Sequence, residues 1–282
     1  MFLQPILIDC GLSGSRYESV AGGDINKAYC LHSDGQKYFL KVNDSEHYPA
    51  MFQKEAAGLI ALSNQQVLTV PKVIKYGTVA GEQYLLLEWL DKGTPGKDFW
   101  QNFGRGLAAL HQKPQPYFGW EDDNFIGNLV QINKQHASWE PFYTDCRIMP
   151  LVTMLTASGD FSKREESAAA SFCNKIASVF LPEPAAILHG DLWSGNFTVL
   201  ENGSAAIFDP AVYFGHREMD IGMTLLFGGF HRQFYDAYNE VYPLQKGWQQ
   251  RLPFTQLYPL LVHAVLFGGH YIAKVKEIIG TV

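Results

Sequence analysis

The sequence predicts an α+β fold in two lobes, a small β-rich N-terminal lobe over residues 1–90 and a larger helical C-terminal lobe over residues 91–282. Three observations carry that expectation. Short alternating segments rich in aromatic and branched residues crowd residues 1–90. The turn-rich string Asp91-Lys92-Gly93-Thr94-Pro95-Gly96 then interrupts them. Beyond it, apolar residues recur mainly at helical spacing.

Residues 17–21 read as a strand running into Gly22-Gly23-Asp24-Ile25-Asn26. Residues 28–32 and 36–42 flank Ser33-Asp34-Gly35, and Asp-Gly between strand patterns signals a hairpin. A helix follows, with Pro49 near its first turn and Phe52, Ala56 and Leu59 on one face. Residues 72–76 and 83–89 complete the strands of this lobe. Helical patterns then cover 98–110, 142–156 and 165–180. Between the first two, residues 112–140 form a polar and aromatic stretch too long for an idle loop. A hairpin around Asn202-Gly203 spans 197–208, and helices run from Asp220 to the end.

Composition bounds the function. Hydrophobic residues make up 47% and charged residues 18% of the 282, an ordinary globular balance. A net charge of −6 argues against non-specific nucleic-acid binding. No run of about 18 apolar residues occurs, so no membrane span is expected. The N-terminus lacks a basic n-region, and Gln4, Pro5 and Asp9 break its apolar stretch, unlike a signal peptide. Cys10, Cys30, Cys146 and Cys173 are widely spaced with no C-x-x-C pair, which suits reduced thiols in a cytoplasm.

The most informative string is His189-Gly190-Asp191-Leu192-Trp193-Ser194-Gly195-Asn196, after the apolar residues 185–188. It has the form H-x-D-L-x-x-x-N, the catalytic-loop pattern of protein kinases and small-molecule phosphotransferases. Phosphoryl transfer to a hydroxyl needs a carboxylate near the acceptor proton, here Asp191, and hard oxygen ligands for Mg²⁺. Asn196 offers one such ligand. Asp209, at the end of the strand pattern 205–208, offers the other, followed by Pro210-Ala211 in place of the kinase Phe-Gly.

The N-terminal lobe supplies further candidates. Lys41 alternates with Leu40 and Val42 and shares a strand face with Phe39. Glu55 lies on the apolar stripe of its helix, where a carboxylate needs a partner, and a Lys41–Glu55 pair would orient ATP phosphates. Gly22 and Gly23 stand where a phosphate-covering loop belongs, although the string is not G-x-G-x-x-G. Glu88, Trp89 and Leu90 precede the connector, in position for backbone bonds to an adenine edge. Asp220 stands near the start of a helix, where kinase-like folds set an Asp that accepts backbone N–H bonds from the catalytic loop; the alternative is an ordinary carboxylate at a helix N-terminus, and either role is structural.

Several strings resemble the fructosamine (ketosamine) kinases. They are the catalytic-loop string from Leu188 to Asn196, Asp209-Pro210-Ala211-Val212-Tyr213-Phe214-Gly215-His216-Arg217-Glu218, and Leu226-Phe227-Gly228-Gly229-Phe230. Gly22-Gly23-Asp24-Ile25-Asn26, Phe118-Gly119-Trp120 and Asp123-Asn124-Phe125-Ile126-Gly127 match as well. Trp193 with Gly215-His216-Arg217-Glu218 separates this pattern from aminoglycoside and choline kinases. The resemblance implies a bilobal protein-kinase-like fold, ATP with Mg²⁺, and phosphorylation of the sugar 3-hydroxyl of a ketoamine. The 3-phosphate then tends to eliminate and free the amine, which links such kinases to deglycation. Carried onto matching positions, Asp191 is the base, Asn196 and Asp209 hold metal, and Lys41 with Glu55 orients phosphate. Trp193, His216 and Glu218 are candidates for the acceptor, with Arg217, Trp120 and Asn124 behind them.

Other readings stay open on sequence. One is a kinase for another small hydroxyl substrate, such as an aminoglycoside or amino alcohol. Another is a metal-dependent hydrolase using His189, Asp191, Asp209 and His216, which leaves Lys41 and Glu55 unexplained. A third is a nucleotide-binding module without catalysis. The preferred sugar and amine, and the oligomeric state, are not written in the sequence.

Overall fold

A computed structural model describes residues 3–20 and 26–281 of the chain. Gly22 and Gly23 lie outside the described residues. The chain divides into two compact units: residues up to Phe99 with Phe197–Pro210, and Trp100–Asn196 with Ala211 onward.

The first unit is built on β1 (Arg16–Ser19), β2 (Lys27–Ser33), β3 (Gln36–Asp44), β4 (Val73–Val79) and β5 (Glu82–Glu88). They form an antiparallel sheet in the order β1-β2-β3-β5-β4. Asp34 and Gly35 turn β2 into β3 with φ of 50° and 77°, as a tight two-residue hairpin requires. Alternation gives β3 two different faces. Leu40 and Val42 pack with Leu31, Tyr84, Leu86 and the short helix α1 (Gln4–Asp9) in one apolar cluster. Lys41 points the other way, toward α2 (Met51–Ser63).

The start of α2 differs from the sequence expectation. Pro49 falls outside the helix, which begins after Ala50 in the left-handed region at φ 59°. Gln83 of β5 serves this end: its Oε1 accepts from the Phe52 N–H at 3.2 Å, and its amide donates to the Asp44 carbonyl at 3.1 Å and the Tyr48 carbonyl at 2.5 Å. A distant side chain thus satisfies a helix-end donor that no local cap reaches. The hairpin of Phe197–Val199 and Ala205–Ile207 joins this unit through a Thr69–Ala206 bridge and a Lys92–Leu200 bridge.

The second unit is mainly helical around a large core that includes Phe142, Tyr143, Phe172, Leu188, Tyr213, Leu257 and Leu261. A small sheet runs Tyr213–Gly215, Ala185–Leu188, Pro114–Gln115. The helix expected over 142–156 is three pieces: Trp139–Tyr143, a π-turn Thr144–Ile148, and Met149–Ala157. Pro150 lies at the start of the last piece, where its missing N–H costs least. The helix expected over 165–180 begins at Lys163 behind a Ser162–Glu165 capping box and ends at Cys173, with a short helix Ile176–Val179 after it. Helices Glu218–Leu226, Arg232–Val241, Leu252–Phe267 and His270–Gly280 fill the C-terminal part. Among the described residues, no helix is long and apolar enough to cross a membrane.

Residues 112–140 are not idle. The hairpin of Asn124–Ile126 and Leu129–Gln131 carries a buried polar network. Asn124 donates to the Val212 carbonyl at 2.8 Å, and Gln131 to the Ala211 carbonyl at 3.1 Å. Asn133 donates to Asn124 and accepts from Arg147, whose guanidinium lies 4.1 Å from the Tyr213 ring centroid. These bonds satisfy carbonyls just past Asp209-Pro210 that the small sheet leaves unpaired.

Candidate active site

In the first unit, the site is built on Lys41. The residue is 3% exposed, and its ammonium donates to Glu55 Oε1 at 2.8 Å and Asp209 Oδ1 at 2.6 Å. Burial alone would push the lysine pKa down. The carboxylates of Asp209 and Glu55 outweigh it and hold the ammonium well above its ordinary value. Glu55 is raised, by burial first and by the Asp209 charge, against the pull of Lys41. Sequence reasoning paired Lys41 with Glu55 but missed that Asp209 shares the same ammonium. No local signal could have shown it, because the contact spans 168 positions.

Asp209 ends the strand Ala205–Ile207 with φ 54°, in the left-handed region, immediately before Pro210. Asp tolerates that region better than most residues, yet such backbone persists only where its surroundings enforce it. Two carboxylates around one ammonium leave a surplus negative charge, and the Asp209 side chain is 35% exposed. An oxygen donor of that kind suits a hard divalent cation.

Glu88, Trp89 and Leu90 follow β5. The Glu88 N–H donates to the Lys72 carbonyl at 2.9 Å. Trp89 donates its indole N–H to Asp91 at 3.1 Å, and its ring stands 6.2 Å from Phe39. Lys37 bonds Asp91 and lies 5.6 Å over the Trp89 ring.

In the second unit, the loop after Ala185–Leu188 carries Asp191 and Asn196. The Asn196 amide donates to the Asp191 carbonyl at 2.8 Å and to its Oδ2 at 2.9 Å. The amide nitrogen is thereby committed, and Oδ1 is the atom of this side chain with the chemistry to ligate a cation. Gly190 has φ 83°, and a Cβ there would meet the Ala211 carbonyl at 2.0 Å, so only glycine fits.

Asp220 holds this loop from below. Its carboxylate accepts from the His189 N–H at 2.8 Å and the Gly190 N–H at 2.9 Å. His111 Nε2 lies 3.2 Å from the same carboxylate, and His111 Nδ1 lies 2.9 Å from the Tyr238 hydroxyl. Burial would raise the Asp220 carboxyl, but the bonds and charge of His111, His189 and Gly190 bring it below its ordinary value. His111 and Tyr238 were not singled out in the sequence. Nothing local marks them, since each lies on an ordinary amphipathic helix.

The acceptor candidates separate. Trp193 is 38% exposed. Its ring meets Phe227 edge-on at 6.2 Å and covers Gly195, where a Cβ would touch it at 2.3 Å. His216 and Glu218 are each 2% exposed. His216 packs among Phe180, Trp139 and Glu183, and burial lowers its pKa to about 4. Both Glu218 oxygens accept from Arg251, at 2.6 Å and 2.7 Å. Arg217 makes the corresponding fork to Glu183 at 2.8 Å and 2.9 Å. These pairs tie the start of the helix Glu218–Leu226 to its neighbours.

Known proteins of one family resemble this chain. The fructosamine kinase family profile matches residues 10–282. A Synechocystis protein named probable ketoamine kinase is 41% identical over 93% of this chain and 88% of its own length. The chloroplastic protein-ribulosamine 3-kinase of Arabidopsis thaliana is 37% identical over 93% of this chain and 80% of its own. A crystal structure from Haemophilus somnus assigned as a fructosamine-3-kinase superposes with a TM-score of 0.88 at 28% identity, covering 99% of this chain and 96% of the other. The fold extends further: the aminoglycoside phosphotransferase APH(4)-Ia, at 16% identity, gives a TM-score of 0.67 over 99% of this chain and 98% of its own. On the profile match and these identities, the chain belongs to the fructosamine kinase family.

Proposed function

We propose that this protein transfers the γ-phosphoryl group of ATP to the sugar 3-hydroxyl of a ketoamine, with Mg²⁺, and so prepares the adduct for release of its amine. The observation that carries this reading is the Asp191–Asn196 loop, anchored by Asp220, in a chain of this family. The names of the Synechocystis and Arabidopsis relatives support the acceptor class.

Asp191 acts on the acceptor. Its carboxylate orients the hydroxyl and accepts its proton late in the transfer. Asn196 fixes the Asp191 carboxylate through its amide. Asn196 and Asp209 would hold Mg²⁺, which would supply positive charge to offset that of the transferring phosphoryl group. Lys41, kept charged by Glu55 and Asp209, orients phosphate oxygens. Backbone groups at Glu88, Trp89 and Leu90 take the adenine edge. Trp193 presents its exposed face to the sugar or amine, while His216 and Glu218 act behind it by fixing the helix Glu218–Leu226. The net charge of −6 favours cationic amines as a weak long-range effect. With four free thiols among the described residues, a reducing, cytoplasmic setting suits the chain.

ATP consumption with Mg²⁺ is the test. Fructose-, ribulose- and psicose-linked lysine serve as acceptors, with aminoglycosides and choline as controls. Turnover on one or more ketoamines alone is the expected result. Turnover confined to a control would reject the acceptor assignment and leave a kinase of another small hydroxyl substrate.

A further inference from the structure

The sheet face that carries Lys41 also carries a cluster the phosphoryl-transfer reading does not use. Glu18 on β1 stands opposite Cys30 on β2, and Cys30 stands opposite Phe39 on β3. His32 lies two residues beyond Cys30, on the same face, opposite Lys37. Directly opposed residues share a face, so Glu18, Cys30 and His32 lie on one surface with Phe39 and Lys41. Their ligand atoms all lie within 4.8 Å of one another.

The two spacings that meet at His32 match those of a metal centre. Zinc takes sulfur at about 2.3 Å and nitrogen or oxygen at about 2.0 Å, in a tetrahedron. Those lengths set sulfur and nitrogen about 3.5 Å apart, and nitrogen and oxygen about 3.3 Å apart. Here Cys30 Sγ and His32 Nε2 are 3.6 Å apart, and His32 Nε2 and Glu18 Oε1 are 3.3 Å apart. Without a cation the three make a His32–Glu18 pair with the thiol alongside. The Nε2 atom offers one in-plane proton or one lone pair, so it serves the thiol or the carboxylate but not both. A cation at the common point serves all three.

The surroundings admit such an ion. His32, alone of the three, lines a surface cavity of about 480 Å³ with Arg16, Asp34 and Lys37, while Glu18 is itself exposed and Cys30 is buried. Two cations flank His32. Arg16 lies across from it on β1 and is exposed, and Lys37 is engaged by Asp91. The soft sulfur beside imidazole and carboxylate selects zinc-like ions over Mg²⁺.

The geometry points to a Zn²⁺ site formed by Glu18, Cys30 and His32, with a fourth position for water, whose occupation inhibits the enzyme by obstructing the nucleotide face of the sheet. The inhibitory part rests on the proposed use of that face for ATP; the site itself does not. Binding replaces the Cys30 S–H bond by an S–Zn bond, and the proton leaves to solvent.

Co²⁺ provides the readout, because a thiolate bound to it gives a near-ultraviolet charge-transfer band. Titration of the full chain with Co²⁺ is expected to develop this band to one equivalent, and Zn²⁺ to abolish it. Cys30→Ser removes the band, while Cys10→Ser keeps it. Glu18→Gln, at an exposed position, preserves the fold and weakens binding by at least about 10-fold, the lower end for disturbing a metal site. No band in the parent protein, or an undiminished band in Cys30→Ser, would overturn the site. One equivalent of Zn²⁺ is expected to slow turnover of the parent and not of Glu18→Gln. Stoichiometric binding without slowing would overturn the inhibitory role. Absence of any kinase turnover before metal is added would overturn the proposed activity instead.

Discussion

Asp191→Asn lowers turnover by about 10²- to 10⁴-fold, the range for removal of a positioned general base, and leaves ATP affinity near that of the parent. The argument is geometric. Asparagine keeps the size of the side chain, and Asn196 still has the Asp191 backbone carbonyl to bond at 2.8 Å. The loop therefore stays in place on Asp220, and what is lost is the carboxylate that takes the proton. Steady-state rates with varied ATP and varied acceptor separate the two effects. A fall in kcat with an unchanged KM for ATP supports the role given to Asp191. Near-normal turnover would remove it from the reaction.

Asp220→Ala destabilises the fold by about 3–5 kcal/mol, the cost of breaking a buried charged network by deleting one member. The His189 and Gly190 N–H groups lose their acceptor, and His111 loses its carboxylate. Urea unfolding of the variant measures this. Asp220→Asn, which keeps the shape, provides the second measurement if alanine is not tolerated. The pH dependence has a definite sign. The Asp220 carboxyl is depressed in the fold, so its stabilisation is present above the ordinary carboxylate value of 3.8 and is lost as pH falls through the depressed value. The stability gap between the parent and Asp220→Asn should therefore close in acid. A gap of less than about 1 kcal/mol at neutral pH would mean that the network is not needed to hold the loop.

The two parts of the molecule were legible for different reasons. Strand alternation and the Asp34-Gly35 turn are local, so the sheet from β2 to β5 followed from the sequence. The α+β class followed too, because the residues beyond the turn-rich connector carry helical periodicity. A helix over 142–156 followed as well, but the π-turn inside it did not, because one such turn displaces the apolar pattern by only one residue. The helix α2 began later than Pro49 suggested, because its cap is Gln83, remote in sequence.

At the site, the string from His189 to Asn196 carried the kinase reading through its spacing. A lysine on an aromatic-bearing strand face and a glutamate on an apolar helix stripe pointed to each other for the same reason. The contacts that hold them were hidden: Asp209, itself named in the sequence, on Lys41, then His111 and Tyr238 beneath Asp220, and Arg251 on Glu218. Each is a long-range contact between side chains of ordinary local pattern. The polar stretch 112–140 was marked as functional by its length, but its use in satisfying the Ala211 and Val212 carbonyls needed the structure.

The central claim is that a ketoamine is phosphorylated at its 3-hydroxyl. Incubation of fructose-linked lysine with ATP, Mg²⁺ and the protein, followed by phosphorus NMR and mass analysis of the product, tests it most directly. One phosphate on the sugar O3, decaying with release of free lysine, is the predicted result. A stable phosphate at another hydroxyl, or ATP hydrolysis with the ketoamine unchanged, would contradict it.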